Sequence, residues 1–299
     1  GGSTVEEILN ILEGFPMSSL PREEALHDYL EASRLAYADR GDYLGDPGYM
    51  SIALEQMLSD QYAAERRALI GPHAADPPVV KPGDPDAVPD ASVNTIRLGS
   101  TTNLTVSDRW GNVVDYTFTI EQTGGNGMVV PGYGFLLNNE LTDFNLDPDG
   151  TSPESVNQVA GGKRPRSSIA PTIVLRDGKP WLALGSPGGA SIITTVAQLL
   201  LDRVDFGMTL PEAIAAPRLS QRNSATTQTE DAFLSTPEAA ALAARGQVLK
   251  VTTSPPSARE IGAATGIEFL GHGAALAAAE PSRRGGGSAM VVGGAPRHR

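Results

Sequence analysis

Cysteine is absent from all 299 residues. That excludes a disulfide, a thiolate nucleophile and a cysteine-bound metal, and it leaves the redox compartment open. The four histidines, His27, His73, His272 and His298, are scattered, and no pair has ligand spacing. Aromatic residues are only 5% of the chain against a hydrophobic share of 40%, so aliphatic side chains must fill the core. Basic residues are outnumbered: the net charge is -12 and the pI about 4.8, which argues against a nucleic-acid or anionic-membrane partner. The one basic cluster, Lys163, Arg164 and Arg166, is too short to track a phosphate backbone. No apolar run approaches the ~18 residues of a membrane span. The composition implies no metal or other cofactor.

A chain of 31.2 kDa can form one large domain or two. It opens on Gly1 and enters a helical pattern with no targeting segment, as expected if a leader is removed or if a longer polypeptide precedes it. Val5, Ile8, Leu9 and Leu12 follow helical spacing, with Ser3 or Thr4 as the expected cap. Further helices are predicted over 21–40, with Leu26, Leu30 and Tyr37 on one face, and over 51–69. Residues 71–94 are dense in proline and aspartate and read as an exposed linker. Beyond it the pattern turns to strands: 101–107 and 113–120 as a hairpin, then FLLNNE, PTIVLR and WLALGS. A long apolar helix is predicted over 190–204 and short ones over 210–216 and 237–245. Residues 248–252 and 289–292 read as late strands, and the Ala- and Gly-rich stretch 273–288 as turns and an edge.

Chemistry-bearing residues gather downstream of the linker. Thr101 opens the hairpin directly after a cleavable-looking segment, and a threonine freed as a new N-terminus carries its own base. The α-amine titrates at about 7.7–8.0 and can take the hydroxyl proton. Antiparallel pairing would bring Thr119 beside Thr101, with Glu121 just beyond. In LLNNELTDF, Glu140 and Asp143 stand three residues apart and can converge on one ammonium group. In KRPRSSIAPT, the adjacent Ser167 and Ser168 can hold a carboxylate. In GSPGGA, a strand gives way to a helix, so the N–H groups of Gly188 and Gly189 can form an oxyanion hole. Nucleophile, base, ammonium clamp, carboxylate clamp and oxyanion donors together suit acyl transfer from an amino-acid-like donor.

The segments VEEILNILEGF, RLAYADRGDYLGDP, TTNLTVSDRWGNVV, GFLLNNELTDF, KRPRSSIAPTIV and GSPGGASIITTV run nearly from end to end. In their order and spacing the chain resembles the gamma-glutamyltransferases (glutathione hydrolases), which are N-terminal-nucleophile hydrolases. The resemblance implies an α+β four-layer αββα sandwich, here lacking the front part of the large subunit. It implies self-cleavage between Ser100 and Thr101, with 1–100 as the tail of the large subunit and 101–299 as the small one. It gives Thr101 as nucleophile and Thr119 as its hydroxyl partner. Glu121, Glu140 and Asp143 would bind the donor's α-amino group, Ser167 and Ser168 its α-carboxylate, and Gly188 and Gly189 the oxyanion. It implies glutathione or other γ-glutamyl amides as donors, water, amino acids or peptides as acceptors, no cofactor, and a periplasmic or secreted location.

Three departures stand out. The arginine that grips the donor carboxylate in this family is expected in a part of the large subunit that this chain does not contain. Asn103 stands where a histidine is common. No aromatic residue lies between Phe144 and Lys163, where lidded members carry a gate, so an open cleft admitting bulky or polymeric γ-glutamyl donors is expected. Two other readings stay open: a related β-lactam side-chain acylase acting on glutaryl groups, for which an amine clamp serves no purpose, and an inactive truncated relative.

Overall fold

Alternating polar and apolar residues decide how the strands stack, and the computed structural model describes residues 1–85, 101–146, 155–251 and 260–292. Ser100, residues 86–94 of the expected linker and the last residue of the expected strand 248–252 fall outside these ranges.

The helices come first. Helix α1 (Gly2–Leu12) buries Val5, Ile8, Ile11 and Leu12. It starts at Gly2 with no side-chain cap, so Ser3 and Thr4 lie inside it rather than at its cap. Helix α2 (Arg22–Tyr43) was expected to bury one face, yet residues 25–41 are buried without a break. It is enclosed by neighbours on several sides: α1, α4 (Asp60–Arg67) and α8 (Pro237–Ala244) all pack on it. The single helix predicted over 51–69 is instead two short ones, α3 (Leu54–Met57) and α4, separated where Ser59 caps α4 by accepting from the Tyr62 N–H.

Residues 71–85 form neither helix nor strand, as the prolines require. They are nonetheless tied down. The Val80 N–H donates to Asn223 Oδ1 at 2.8 Å, and the Gly83 N–H to Asp39 Oδ1 at 2.6 Å. Backbone groups of a coil laid on a protein surface need such partners.

Strands β1 (Thr101–Ser107) and β2 (Val113–Thr119) form an antiparallel hairpin with Thr101 opposite Thr119. A second sheet has the order β3 (Thr172–Arg176), β4 (Lys179–Gly185), β8 (Thr265–Gly271), β9 (Ala274–Ala279), all antiparallel. A small third sheet joins β5 (Leu219–Ser220), β6 (Thr227–Thr229) and β7 (Leu249–Val251). Helix α5 (Ile192–Val204), short α6 (Leu210–Ala215) and a single turn α7 (Asp231–Leu234) complete the elements.

Strand β4 shows how the layers form. Leu182 and Leu184 point into the aliphatic core beneath α1, α2 and α5, while Ala183 and Gly185 face the hairpin. Gly185 must lack a side chain, because a Cβ there would collide with the Asn103 amide. Gly266 on β8 is constrained likewise, its added Cβ lying 2.8 Å from the Ala183 carbonyl oxygen. The hairpin lies over this sheet, β1 against β8 and β2 against β4. Its inner face is polar: Asn103 and Thr105 bond to Asp115 within the hairpin at 2.9 and 2.8 Å, and reach across to Thr265 on β8 at 3.0 and 3.4 Å. Its outer face is apolar and open, with Leu104, Val106, Val114, Tyr116 and Phe118 between 42% and 61% exposed. Helices, sheet and hairpin are three layers of the αββα sandwich. No described residue covers the outer face, where the fourth would lie.

Two expected strands are absent. FLLNNE makes only one bridge, Val129 to Leu136, because the glycine turns at 132 and 134 leave the segment without a ladder partner among the described residues. Residues 289–292 have no strand pairing.

Candidate active site

The hairpin register puts the hydroxyls of Thr101 and Thr119 together: Thr101 Oγ1 donates to Thr119 Oγ1 at 3.1 Å. Thr119 Oγ1 also accepts the Glu121 N–H at 2.8 Å. This turn holds Glu121 at φ +73°, a conformation that costs a non-glycine residue energy and points to a functional constraint. Ser100, on the other side of the expected cut, lies outside the described residues.

A cavity of about 100 Å³ opens on the pair. Thr101, Thr119, Glu121, Glu140, Asp143, Ser167, Ser168 and Gly189 line it. Gly188 does not line it, although it precedes Gly189 in the same turn. The two glycines have φ +153° and +58°, so each adopts a backbone that side chains disfavour. Beyond them the chain turns into α5, and Ser191 Oγ donates back to the Gly188 carbonyl at 2.9 Å. Buried Ser186 braces the turn by accepting the Ala263 N–H at 3.0 Å.

Glu140 and Asp143 sit on a single 3-10 turn (Glu140–Asp143) that brings their carboxyls together. Burial, then the Asp143 carboxylate and a hydrogen bond to it, then Glu121, push the Glu140 carboxyl up to about 7. A cation between them would reverse the Coulomb part of that shift.

The opposite wall is basic, and no sequence signal marked it. Arg40, from the buried length of α2, donates to Ser168 Oγ at 2.9 Å and to the Ser167 carbonyl at 3.0 Å. Arg166 is enclosed by the carbonyls of Arg40, Gly41 and Leu44 at the end of α2. Burial pulls both guanidinium groups below their ordinary range, most strongly Arg166 because Arg40 lies beside it; Asp143 opposes the shift in each. Arg222 and Tyr37 complete this wall. The basic trio noted in the sequence therefore diverges, since Arg164 pairs with Asp46 at 2.7 Å and Lys163 caps the Val156 carbonyl.

Two asparagines were also missed. Asn139 bonds both to the end of β2 and to Thr142 in the 3-10 turn. Asn157, 1% exposed, donates to the Asp143 carbonyl at 2.8 Å and accepts the Arg166 N–H at 2.8 Å, tying the two walls. Asn103, two strand positions from the threonine pair, is held by Asp115, Thr117 and Thr265, which accounts for an amide at that place. The gate region between Phe144 and Lys163 is described only in part, since 147–154 lie outside the described residues.

The family model for gamma-glutamyltranspeptidase matches residues 1–290. The chain belongs to that family. It is 41% identical to the glutathione hydrolase proenzyme of Bacillus subtilis (strain 168) over 241 residues, 77% of this chain and 40% of the relative. It is similar in structure to the gamma-glutamyltranspeptidase of Pseudomonas nitroreducens, with TM-score 0.55 and 34% identity over 64% of this chain and 100% of that one. It is also similar to the cephalosporin acylase of Bacillus halodurans, with TM-score 0.80 and 29% identity over 98% of this chain and 50% of that one. These likenesses place the chain in the N-terminal-nucleophile hydrolase fold. The chain spans about 40% of the length of its Bacillus subtilis relative.

Proposed function

We propose that this chain carries the catalytic part of a self-cleaving γ-glutamyl hydrolase and transferase. The observation that carries the reading is the Thr101–Thr119 hydroxyl pair, at 3.1 Å, opening onto a cavity with carboxylates on one wall and Ser168–Arg40 on the other. Such a cavity complements an α-amino acid: the ammonium meets Glu121, Glu140 and Asp143, and the carboxylate meets Ser167 and Ser168. Arg40 behind Ser168 supplies positive charge from within this chain.

Residues 1–100 are then the tail of a large subunit and 101–299 a small one. In the precursor, Thr101 Oγ1 attacks the Ser100 carbonyl carbon, the Ser100–Thr101 C–N bond breaks as the ester forms and frees the Thr101 α-amine, and water then hydrolyses the ester to release the Ser100 carboxylate and the Thr101 hydroxyl. In the mature enzyme that amine takes the hydroxyl proton as Oγ1 attacks the donor's γ-carbonyl carbon. The oxyanion is met by the N–H groups of Gly188 and Gly189, each donor of this kind lowering the barrier by about 2.7–4 kcal/mol. The leaving amine departs with the proton. Water, an amino acid or a peptide then attacks the γ-glutamyl ester and restores Thr101. Glutathione is the natural donor class, and an exported location fits the family. Among the described residues no helix is long and apolar enough to cross a membrane.

Thr101→Ala tests this reading. The variant should stay uncleaved and lose γ-glutamyl turnover by ~10⁴-fold or more. N-terminal sequencing of the wild-type protein should read from Thr101. A new N-terminus at Thr101 in the alanine variant refutes it.

The acylase reading has one observation in its favour, the cephalosporin acylase likeness over 98% of the chain. The converging carboxylates favour the γ-glutamyl donor, because burying them without a cation is costly.

A further inference from the structure

Asn139 does not itself line the cavity, yet it holds both parts of the amine-binding wall through residues that do. Its amide nitrogen donates to Glu121 Oε2 and, at 3.0 Å, to Thr142 Oγ1. Its amide oxygen accepts the Gln122 N–H at 3.0 Å, and its backbone N–H donates to the Ile120 carbonyl at 3.2 Å. The Thr142 hydroxyl returns a bond to the Asn139 carbonyl at 2.9 Å. One side chain thus joins the end of β2, which carries Glu121, to the 3-10 turn, which carries Glu140 and Asp143.

Only a primary amide meets this demand. Two donated hydrogens and one accepted one are needed from a single planar group, and a carboxylate of the same shape has no hydrogen to give.

We propose that Asn139 is a positioning residue that sets selectivity for donors bearing an α-ammonium group, by holding the Glu121 carboxylate in place beside the Glu140–Asp143 pair. The proposal rests on the γ-glutamyl reading above and deepens it. A donor lacking the ammonium gains nothing from that arrangement, so Asn139 separates two substrates that differ by one amino group.

The test compares γ-glutamyl-p-nitroanilide with glutaryl-p-nitroanilide in the complete, self-cleaved protein, together with competitive inhibition by L-glutamate and by glutarate. In Asn139→Ala, loss of a charge-assisted bond should raise KM for the γ-glutamyl donor and the inhibition constant of L-glutamate by roughly 10- to 100-fold. The kcat should stay within about threefold, and the glutaryl and glutarate constants likewise, since neither ligand meets the ordered carboxylate. Asn139→Ser, which retains a small hydrogen-bonding group, should give a smaller shift in the same direction; it carries the test if the alanine variant does not fold. Equal losses for both donors would assign Asn139 a purely structural role, and unchanged constants would give it none; either result overturns the proposal. Wild-type protein that binds L-glutamate no better than glutarate refutes the γ-glutamyl reading itself, before any variant is compared.

Discussion

The acidic and basic walls of the cavity are built by opposite strategies. The acidic wall is local: Glu121, Glu140 and Asp143 lie within 23 residues, on one turn after β2 and one 3-10 turn. The basic wall is assembled from afar. Arg40 comes from α2, Ser167 and Ser168 from the segment before β3, and Arg222 from the turn after β5. Carboxylates gathered by a short segment, with Glu121 buried and Glu140 and Asp143 half-buried, repel one another until a cation relieves them. The guanidinium of Arg40 needs the completed helical layer to bring it within 2.9 Å of Ser168. The two walls should accordingly respond differently to mutation, to donor structure and to pH.

The largest difference comes from neutralising the acidic wall. Glu140→Gln combined with Asp143→Asn removes the charge that meets the donor's ammonium. Losing two charge-assisted contacts of about 1.5–3 kcal/mol each should lower kcat/KM for γ-glutamyl-p-nitroanilide roughly 10²- to 10³-fold. Turnover of the glutaryl analogue, which has no ammonium, should change little. Steady-state kinetics with both donors decides this, and a parallel loss would mean the acidic wall serves the fold rather than the amine.

A smaller and differently shaped effect is expected on the basic side. Arg40→Met keeps the apolar stem but removes the bonds to Ser168 and the Ser167 carbonyl. Losing charged hydrogen bonds of about 1.5–3 kcal/mol should raise KM by about 10- to 100-fold. Both donors should suffer alike, because both carry the carboxylate. An Arg40→Met enzyme that distinguishes the two donors would break the division between the walls.

That division also explains what could be read in advance. Periodicity placed the hairpin, and antiparallel pairing then forced Thr119 beside Thr101, so the threonine pair followed from local pattern. Glu140 and Asp143 were visible for the same reason. Arg40 was not, because a helix buried on every side shows no amphipathic contrast to set an inward arginine apart. Strand β8 was overlooked at the centre of its sheet, since Gly266 and Gly271 resemble strand breakers. Gly266 is in fact what the close approach of Ala183 and Leu184 requires. Conversely, FLLNNE reads as a strand but among the described residues pairs only through the Val129–Leu136 bridge, and hydrogen-bonded partners rather than side-chain pattern decide such cases. The exposed apolar face of β1–β2 likewise becomes visible only when the strands are folded, because alternation alone does not say which face is inward.

The smallest effect concerns pH, and it separates the walls without any mutation. Glu140 is pushed up to about 7 by burial and by Asp143, so in the ligand-free cavity it is largely protonated below neutrality. An ammonium ligand binds the ionised pair. Affinity for L-glutamate should therefore improve as pH rises from about 6 to 8, by up to about tenfold per unit below the Glu140 value. Inhibition constants are the better measure, because kcat also reports the protonation of the proposed Thr101 α-amine. Glutarate, held only through its carboxylates, should show no such limb. Stability of the ligand-free protein should run the other way. A carboxyl raised in the folded state holds its proton where the unfolded chain has lost it, so its contribution is present below about 4.5 and is lost as pH climbs through 7. Thermal unfolding across that range should show the melting temperature falling in free protein, and falling less when L-glutamate is bound. A glutarate profile that follows the L-glutamate one would place the titrating group on the carboxylate side of the cavity instead.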